Sequence, residues 1–358
     1  MNTVILAAPD QYGYFTIYYY YAKYLSREFK VIYICFDQGE IKFKESENIK
    51  VVYVELVRNK ILRILKYYQA IVRIFKSNIS SKLILKYYFF SSLLNLFLPR
   101  KNLILDIRTG YTSVVRYKTF FFNSIIRIES LPFKRIVTLS ESLRRKLKLQ
   151  IKKTIIIPLG ADQIVSHPKV FDKLVLLYIG TLTSRNIAQT VKGLAQFIKN
   201  ERKNMEIEYY IVGGGKPLEV KELNDTIYNN DLQKTVHYVG QVYGEKLKWF
   251  FLNCNIGVSY IPMIRDYDCQ PATKTVEYLM AGMPVIATNT YENKVTVNEN
   301  NGVLIKDTSE DFCIGLSTIY NKRNSFRSSE IRKSVESFTW ENIINTNLKP
   351  YLLGLIEN

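Results

Sequence analysis

Short apolar runs alternate along the chain with longer segments whose apolar residues recur at helical spacing, a pattern typical of parallel strands joined by helices. The run 3–6 is followed by an aromatic-rich segment, 14–29, that we expect to be a helix, and then by a second apolar run, 31–35. This order predicts a βαβ unit at the start of the chain. Further strands are expected in the first half at residues 51–54, 103–105, 135–139 and 154–157. The pattern therefore predicts an α/β fold with a doubly wound first domain.

A polar connector at residues 158–169 separates this series from a second one, since Pro158 and Pro168 both interrupt regular structure there. Strands are expected after the connector at residues 174–179, 208–212, 236–239, 256–260 and 285–287. The closing segment predicts a helix anchored by Trp340. We expect a first domain over residues 1–163, a second over 164–340 and a C-terminal helix over 341–358.

Candidate chemistry concentrates in residues 270–288, which predict a helix followed by a buried strand. Thr273 or the residues just before it are expected to cap the helix, and Gly282 is expected to end it. Lys274 lies in the first turn, where the helix dipole disfavours a cation unless an anion binds beside it, so the pair suits a phosphate or diphosphate. Glu277 shares the helix face and could accept hydrogen bonds from sugar hydroxyls. The simpler alternative is a surface helix with a Lys-Glu ion pair.

This segment, QPATKTVEYLMAGMPVIAT, resembles the signature of family 4 of the GT-B glycosyltransferases, retaining enzymes that use nucleotide-sugar donors. Four other segments are similar to family motifs: TLSESLRRKL with IIIPLGAD, YIGTLTSR, YYIVGGGK, and the closing Phe338-Thr-Trp340. The resemblance implies two Rossmann-like domains facing a cleft, with the donor held mostly by the second. It also implies that the last helix crosses back to the first domain.

The resemblance implies a set of donor-binding residues: Gly13, Gly180, Thr181, Arg185, Gly213, Tyr238, Pro271, Thr273, Lys274 and Glu277. Lys274 and Arg185 would stabilise the leaving diphosphate, and Glu277 would hold donor hydroxyls. Asp106, at a predicted strand end, lies where a polar residue of the first domain often meets the sugar or acceptor, although a strand-end cap is an equal alternative. A retaining mechanism needs no strong base, whereas an inverting one would use Asp106 or Asp10.

One position departs from the family pattern. Cys269 stands where many members carry a glutamate near the donor sugar. Either Asp266 or Asp268 takes its place, or the backbone after Gln270 suffices. The departure keeps open a non-catalytic GT-B relative that binds a glycan or a partner.

Charge is distributed unevenly. The net charge of +18 lies entirely in residues 1–160, which hold 28 basic and 10 acidic residues, whereas the remainder holds 22 of each. Ten of these basic residues fall between Glu55 and Asp106, interleaved with aromatic residues and without a single acid. Such a segment is typical of an anionic membrane surface as partner; nucleic acid is less favoured because no reading module is recognisable.

Together these features predict a glycosyltransferase that moves a sugar from a UDP- or GDP-sugar to a lipid-linked glycan in cell-surface polysaccharide biosynthesis. No tightly bound cofactor or essential metal is expected, because four scattered cysteines and two histidines form no metal-site spacing. The N-terminus lacks the basic region of a signal peptide. We expect a cytoplasmic protein, peripheral at the inner face of the plasma membrane.

Overall fold

The computed structural model describes residues 1–111, 116–201, 206–242, 244–264, 267–269 and 273–356. The chain forms two compact units. The first comprises Met1–Leu159 together with Trp340–Asn358, and the second comprises Gly160–Thr339.

Seven strands among the described residues of the first unit form one parallel sheet in the order β3-β2-β1-β4-β5-β6-β7. Their bounds are β1 Thr3–Ala7, β2 Lys30–Asp37, β3 Ile49–Glu55, β4 Lys82–Lys86, β5 Leu103–Ile107, β6 Ile136–Thr138 and β7 Thr154–Ile156. The helices are α1 Thr16–Leu25, α2 Lys60–Lys76, α3 Leu94–Phe97, α4 Arg116–Ser130 and α5 Glu141–Lys146. One turn of 3₁₀ helix, Ser91–Leu93, leads directly into α3. The strand order reverses between β1 and β4, as in a doubly wound sheet.

The second unit repeats this architecture with six described strands, all parallel, in the order β10-β9-β8-β11-β12-β13. The strands are β8 Leu174–Ile179, β9 Ile207–Val212, β10 Val236–Gly240, β11 Ile256–Ser259, β12 Val285–Thr288 and β13 Gly302–Ile305. The helices are α6 Ala188–Glu201, α7 Pro217–Asn229, α8 Lys246–Asn253, α9 Thr273–Met280, α10 Tyr291–Thr296, α11 Ser309–Lys322 and α12 Ser328–Lys333. The predicted α/β class with two doubly wound sheets is confirmed.

The C-terminal segment belongs to the first unit, as the resemblance implied. It runs through α13 Trp340–Ile343, a π-helical turn at Ile344–Leu348 and α14 Lys349–Ile356. Trp340 is buried and stacks on Tyr20 of α1, with ring centroids 5.2 Å apart and an interplanar angle of 14°. The expected anchoring role of Trp340 is therefore confirmed.

Two strands are absent from the sequence-based prediction. β4 pairs with both β1 and β5, and its central residues Leu83, Ile84 and Leu85 are fully buried. Its flanking lysines made it look like part of the basic segment, although it lies at the centre of the sheet. β13 is a four-residue strand that pairs with β12.

Candidate functional site

A cavity of about 290 Å³ opens in the second unit at the ends of the neighbouring strands β8 and β11. It is lined by Tyr178, Ile179, Gly180, Thr181, Arg185, Val258, Ser259, Tyr260, Ile261, Tyr267, Thr273 and Lys274. The strand order reverses here, because the chain runs outward from β8 to β9 and β10 on one side and continues from β11 on the other. Ligands of open α/β sheets bind at such a switch point.

Backbone hydrogen bonds hold the loop after β8 against the loop after β9. The amide of Gly180 donates to the carbonyl of Val212 over 3.0 Å, and the amide of Leu182 donates to that of Gly214 over 2.8 Å. Gly213 has a φ of +146°, and a Cβ there would lie 1.8 Å from the carbonyl oxygen of Gly180. This close approach requires glycine. The predicted site residues Gly180 and Gly213 are therefore neighbours.

Arg185 lies in the same loop and turns its guanidinium into the cavity wall. Its Cζ lies 4.1 Å from the ring centroid of Tyr267, a cation–π geometry. Its Nη1 is buried and has no hydrogen-bond partner among the residues that the structure describes. A buried cationic donor without an acceptor is costly, and an anionic ligand would remove that cost.

Lys274 lines the same cavity from the first turn of α9. Its Nζ lies 2.5 Å from Oε2 of Glu277, and the two side chains are 33% and 18% exposed. The Lys-Glu ion pair that was the alternative to a phosphate site is thus present, although Lys274 also lines the cavity. Glu277 is not among the residues that line it. Because the pair is partly exposed, its net contribution to stability is small, about 0 to 1 kcal/mol.

Tyr278 links α9 to the end of β8 beside the cavity. The sequence alone did not identify this residue. Its buried hydroxyl accepts a hydrogen bond of 2.7 Å from the amide of Ile179, at the end of β8. Burial raises the pKa of Tyr278 well above its usual value, so the hydroxyl stays neutral. Gly257 of β11 makes room for the ring, since a Cβ there would approach it to 2.4 Å. Tyr278 therefore fixes Lys274 relative to the loop of Gly180.

The end of α9 follows the sequence-based prediction. Gly282 has a φ of +76°, its amide donates to Leu279, and the amide of Met283 donates to Tyr278. These two bonds form the glycine-based helix terminus expected from the sequence. On the inner side of the helix, the hydroxyl of Thr275 lies 2.7 Å from that of Ser259 in β11.

A second cavity, of about 450 Å³, shares Ile179, Gly180 and Thr181 with the first. Its other lining residues are Thr183, Val212, Gly213, Gly214, Gly215, Lys216, Gln241 and Val242. Tyr238 lines neither cavity and packs against the core of the second unit. Thus the segment after β10 contributes Gln241 and Val242 in place of the predicted Tyr238.

Glu219, at the start of α7, stabilises the loops beside this second cavity. The sequence alone did not identify this residue either. Its carboxylate accepts hydrogen bonds from the amides of Ser184, at 2.7 Å, and Lys216, at 3.0 Å. The bond from Ser184 is the main cause of a lowered pKa for Glu219. Ser184 itself has a φ of +55°, a conformation that needs such support.

Two predicted residues belong to the first unit. Asp106 is fully buried, and its Oδ1 lies 2.6 Å from Nε of Arg108, which also donates to the carbonyl of Ile157 over 3.0 Å. Burial raises the pKa of Asp106, against the opposing effect of Arg108. A carboxylate without exposed surface is poorly placed to contact a sugar, which favours the alternative of a structural role at the strand end. Gly13 has a φ of +95° and lies beneath the ring of Phe43, which leaves no room for a side chain.

The region around the departure from the family pattern is only partly described. Pro271, Gln270 and Asp266 lie outside the described residues. Cys269 is buried, and Oδ1 of Asp268 accepts a hydrogen bond of 2.7 Å from the amide of Tyr291 at the start of α10. Asp268 is therefore engaged with a helix terminus. Within the described residues, no three His, Cys, Asp or Glu side chains cluster as metal ligands would.

Part of the sequence matches a known family, and the fold is similar to those of solved structures. Residues 173–322 match the sequence model of the family described as glycosyl transferases group 1. None of the curated proteins matches the sequence. Among solved structures, sucrose-phosphate synthase from Thermosynechococcus elongatus is 16% identical, with a TM-score of 0.75 and coverage of 100% of both chains.

Two further structures are similar over nearly the whole chain. HepE of Anabaena, in complex with UDP-glucose, is 12% identical with a TM-score of 0.70 and covers 99% of this chain and 100% of its own. WaaG, a glycosyltransferase involved in lipopolysaccharide biosynthesis, is 11% identical with a TM-score of 0.65 and covers 96% of this chain and 99% of its own. At these identities the likeness establishes the fold. Residues 173–322 therefore match the group 1 glycosyltransferases in sequence, and the two sheets have the GT-B fold.

Proposed function

We propose that this glycosyltransferase uses a nucleoside-diphosphate sugar, a UDP- or GDP-sugar, and that Arg185 and Lys274 hold its diphosphate. The observation that carries the proposal is the buried Nη1 of Arg185, which has no partner among the described residues and lies in the cavity that Lys274 also lines. Two cations and the start of α9 converge on one small space. A diphosphate matches this arrangement in charge and in its number of hydrogen-bond acceptors.

The two adjoining cavities support a division of the donor between them. The first, with Arg185 and Lys274, would take the diphosphate, while the second, beside Gly214 and Gln241, offers an open wall for the nucleoside. They meet at Gly180 and Thr181, whose backbone a phosphate could approach closely. HepE in complex with UDP-glucose supports the donor class, because its fold is shared.

For the chemical step we propose retention. The bond between the anomeric carbon and the diphosphate oxygen breaks, the acceptor oxygen bonds to the same face, and the leaving diphosphate takes the acceptor proton. Arg185 and Lys274 stabilise the charge that develops on the leaving group, and Glu277 accepts hydrogen bonds from donor hydroxyls. The two carboxylates that an inverting enzyme would use are both engaged: Asp106 is buried with Arg108, and Asp10 lies 2.5 Å from Lys86.

Cys269 gives the second candidate function its support. A buried thiol at this position offers no carboxylate to the donor sugar. A non-catalytic relative that binds a glycan or partner would tolerate the loss of that carboxylate. Both candidates would bind the nucleotide. They differ in turnover, because only the enzyme would transfer the sugar.

We further propose that the acceptor is a lipid-linked glycan in cell-surface polysaccharide biosynthesis and that the protein works at the cytoplasmic face of the plasma membrane. The excess of basic residues in the first half supports this, because anionic lipids attract such a surface. WaaG offers a precedent for the process. No helix among the described residues has the length and apolar character needed to cross a membrane.

A thermal-shift panel of nucleotide sugars tests the proposed donor class. Ligand at a hundredfold excess over its Kd stabilises the folded protein by about 2.7 kcal/mol, which raises the midpoint of unfolding by several degrees. We expect UDP- or GDP-sugars to raise it and free sugars to leave it unchanged. A panel in which no nucleotide sugar raises the midpoint would reject the donor assignment.

A further inference from the structure

The first unit carries an apolar surface that its own core does not cover. Two neighbouring segments form it, the 3₁₀ turn with α3 and the exposed side of α4. We define the apolar surface as Phe89, Phe90, Leu93, Leu96, Phe97, Tyr117, Phe120 and Phe121, all exposed. Leu96 and Phe120 are 73% and 75% exposed, whereas such side chains are ordinarily buried. A concentration of this kind marks an interaction site.

Buried polar contacts hold the two segments together. Glu129 of α4 is buried, and its carboxylate accepts hydrogen bonds from the amides of Phe90, at 3.0 Å, and Ser92, at 3.3 Å. From the other side, the hydroxyl of Tyr68 in α2 donates to the carbonyl of Phe89 over 2.7 Å. The exposed apolar residues therefore stand on a fixed backbone.

Phe90 is strained in addition to being exposed. Its φ is +65°, in the left-handed region that bulky residues rarely adopt. The bond from its amide to Glu129 supports this conformation. Strain of this kind, held by a buried carboxylate, is typical of functional positions.

The charge around the apolar surface has one sign. Residues 56–140 contain sixteen basic residues and two acidic ones, Asp106 and Glu129. Both acids are buried and engaged, Asp106 by Arg108 and Glu129 by backbone amides. Exposed cations flank the apolar surface on both segments: Arg100, Lys101, Lys118 and Arg127.

We propose that the apolar surface inserts into the interfacial layer of an anionic lipid bilayer, with the flanking cations on the headgroups. This inference rests on the proposed function, because a lipid-linked acceptor would present itself at such a bilayer. Exposed apolar side chains with lysine and arginine nearby along the chain match a membrane interface. A second copy of the chain fits less well, since it would bring two strongly basic rims together.

The test is sedimentation with vesicles of phosphatidylcholine alone or mixed with phosphatidylglycerol, at low and high salt. We expect binding to the mixed vesicles that persists in part at high salt, because apolar insertion is not screened. The double variant Phe120→Ser with Phe121→Ser should bind at least about tenfold more weakly. The matched control, Leu218→Ser with Tyr228→Ser on α7, removes two exposed apolar side chains of the second unit and should bind as the unchanged protein does.

Several results would overturn the proposal. Binding that high salt abolishes and that the double variant retains would mean attachment by charge alone. A dimer in analytical ultracentrifugation that the double variant dissociates would assign the surface to a second copy. Binding of single-stranded RNA in place of vesicles, lost in the same variant, would assign it to nucleic acid.

A second measurement covers the case in which the double variant does not fold. Phe121→Trp places a fluorophore on the apolar surface, and brominated lipids should quench its emission when mixed vesicles are added. Emission that brominated lipids leave unchanged would overturn the inference. UDP titration of the double variant separates the two proposals, because the loss of membrane binding should leave donor affinity unchanged.

Discussion

The guanidinium of Arg185 lies over the ring of Tyr267, 4.1 Å from Cζ to the ring centroid, on the wall of the cavity that Lys274 lines. The stacking orients a cation whose Nη1 has no acceptor among the described residues. An arginine held in this way is preorganised for an anion, because binding need not restrict the side chain further.

Replacement of Tyr267 should therefore weaken donor binding without abolishing it. Tyr267→Ala removes a cation–π contact of about 0.5 to 1 kcal/mol, so we expect about a two- to fivefold loss of UDP affinity in calorimetry. Tyr228→Ala, which removes an exposed tyrosine of α7, is the control and should change nothing. An unchanged UDP affinity in Tyr267→Ala would show that the stacking does not position Arg185.

Glu277→Gln should separate binding from turnover. The neutral amide no longer competes for the ammonium of Lys274, which is 2.5 Å from the carboxylate in the present structure. UDP affinity should stay the same or rise a little, while the rate of sugar transfer falls by about a hundredfold because the proposed contact to the donor sugar is lost. Glu299→Gln is a control on the exposed surface. Full activity in Glu277→Gln would remove this residue from the site.

Asp106→Asn tests whether this residue has a structural or a catalytic role. The change leaves Arg108 buried beside a neutral side chain, which costs about 3 to 5 kcal/mol in comparable buried pairs. We expect a lower urea midpoint for the first unit and an unchanged UDP affinity. The double variant Asp106→Leu with Arg108→Met removes both charges and should recover much of the stability. A stable Asp106→Asn that has lost transfer would instead support the catalytic role.

Stability should fall steeply above about pH 10, the usual pKa of tyrosine. Burial raises the pKa of Tyr12 and of Tyr351 to about 12. Because the folded pKa exceeds the unfolded one, these groups contribute stability below pH 10 that is lost as pH rises towards 12. Each pKa unit corresponds to about 1.4 kcal/mol. Urea midpoints measured between pH 8 and about pH 11.5 should decline together with tyrosine ionisation in the ultraviolet spectrum, and a flat profile would contradict this account.

Much of the fold could be predicted because helices and strands left a regular periodicity in the sequence. The apolar runs predicted for β8 and β12 coincide with the observed strands almost to the residue. Gly282 marks the end of α9 because the backbone there has a positive φ, which favours glycine. β4 was missed because its ends are lysines, one of which, Lys86, reaches Asp10 from the end of the central strand. The periodicity of apolar residues does not show whether a lysine at the end of a strand faces solvent or pairs with a carboxylate in a neighbouring loop.

The site was predictable only where local chemistry carries the information. Lys274 and Arg185 stood out as cations beside a helix start and a glycine, and both line one cavity. Tyr267 and Tyr278 left no local signal, because their partners lie far from them along the chain. The position of Glu219 near a helix start is a local signal, but its bond to Ser184 is not visible in the sequence. The burial of Asp106 could not be predicted for a related reason, since the sequence does not show whether a strand-end carboxylate faces solvent or the core.

The most direct test of the central claim is calorimetric titration of Arg185→Ala with UDP, GDP and uridine. Loss of a charge-assisted contact to phosphate, worth about 1.5 to 3 kcal/mol, should weaken binding of the preferred nucleotide by about ten- to a hundredfold and leave uridine unaffected. Lys322→Ala, an exposed cation at the end of α11, is the matched control. Nucleotide affinity equal to that of the unchanged protein, or an equal loss for uridine, would contradict the assignment of this cavity to a diphosphate.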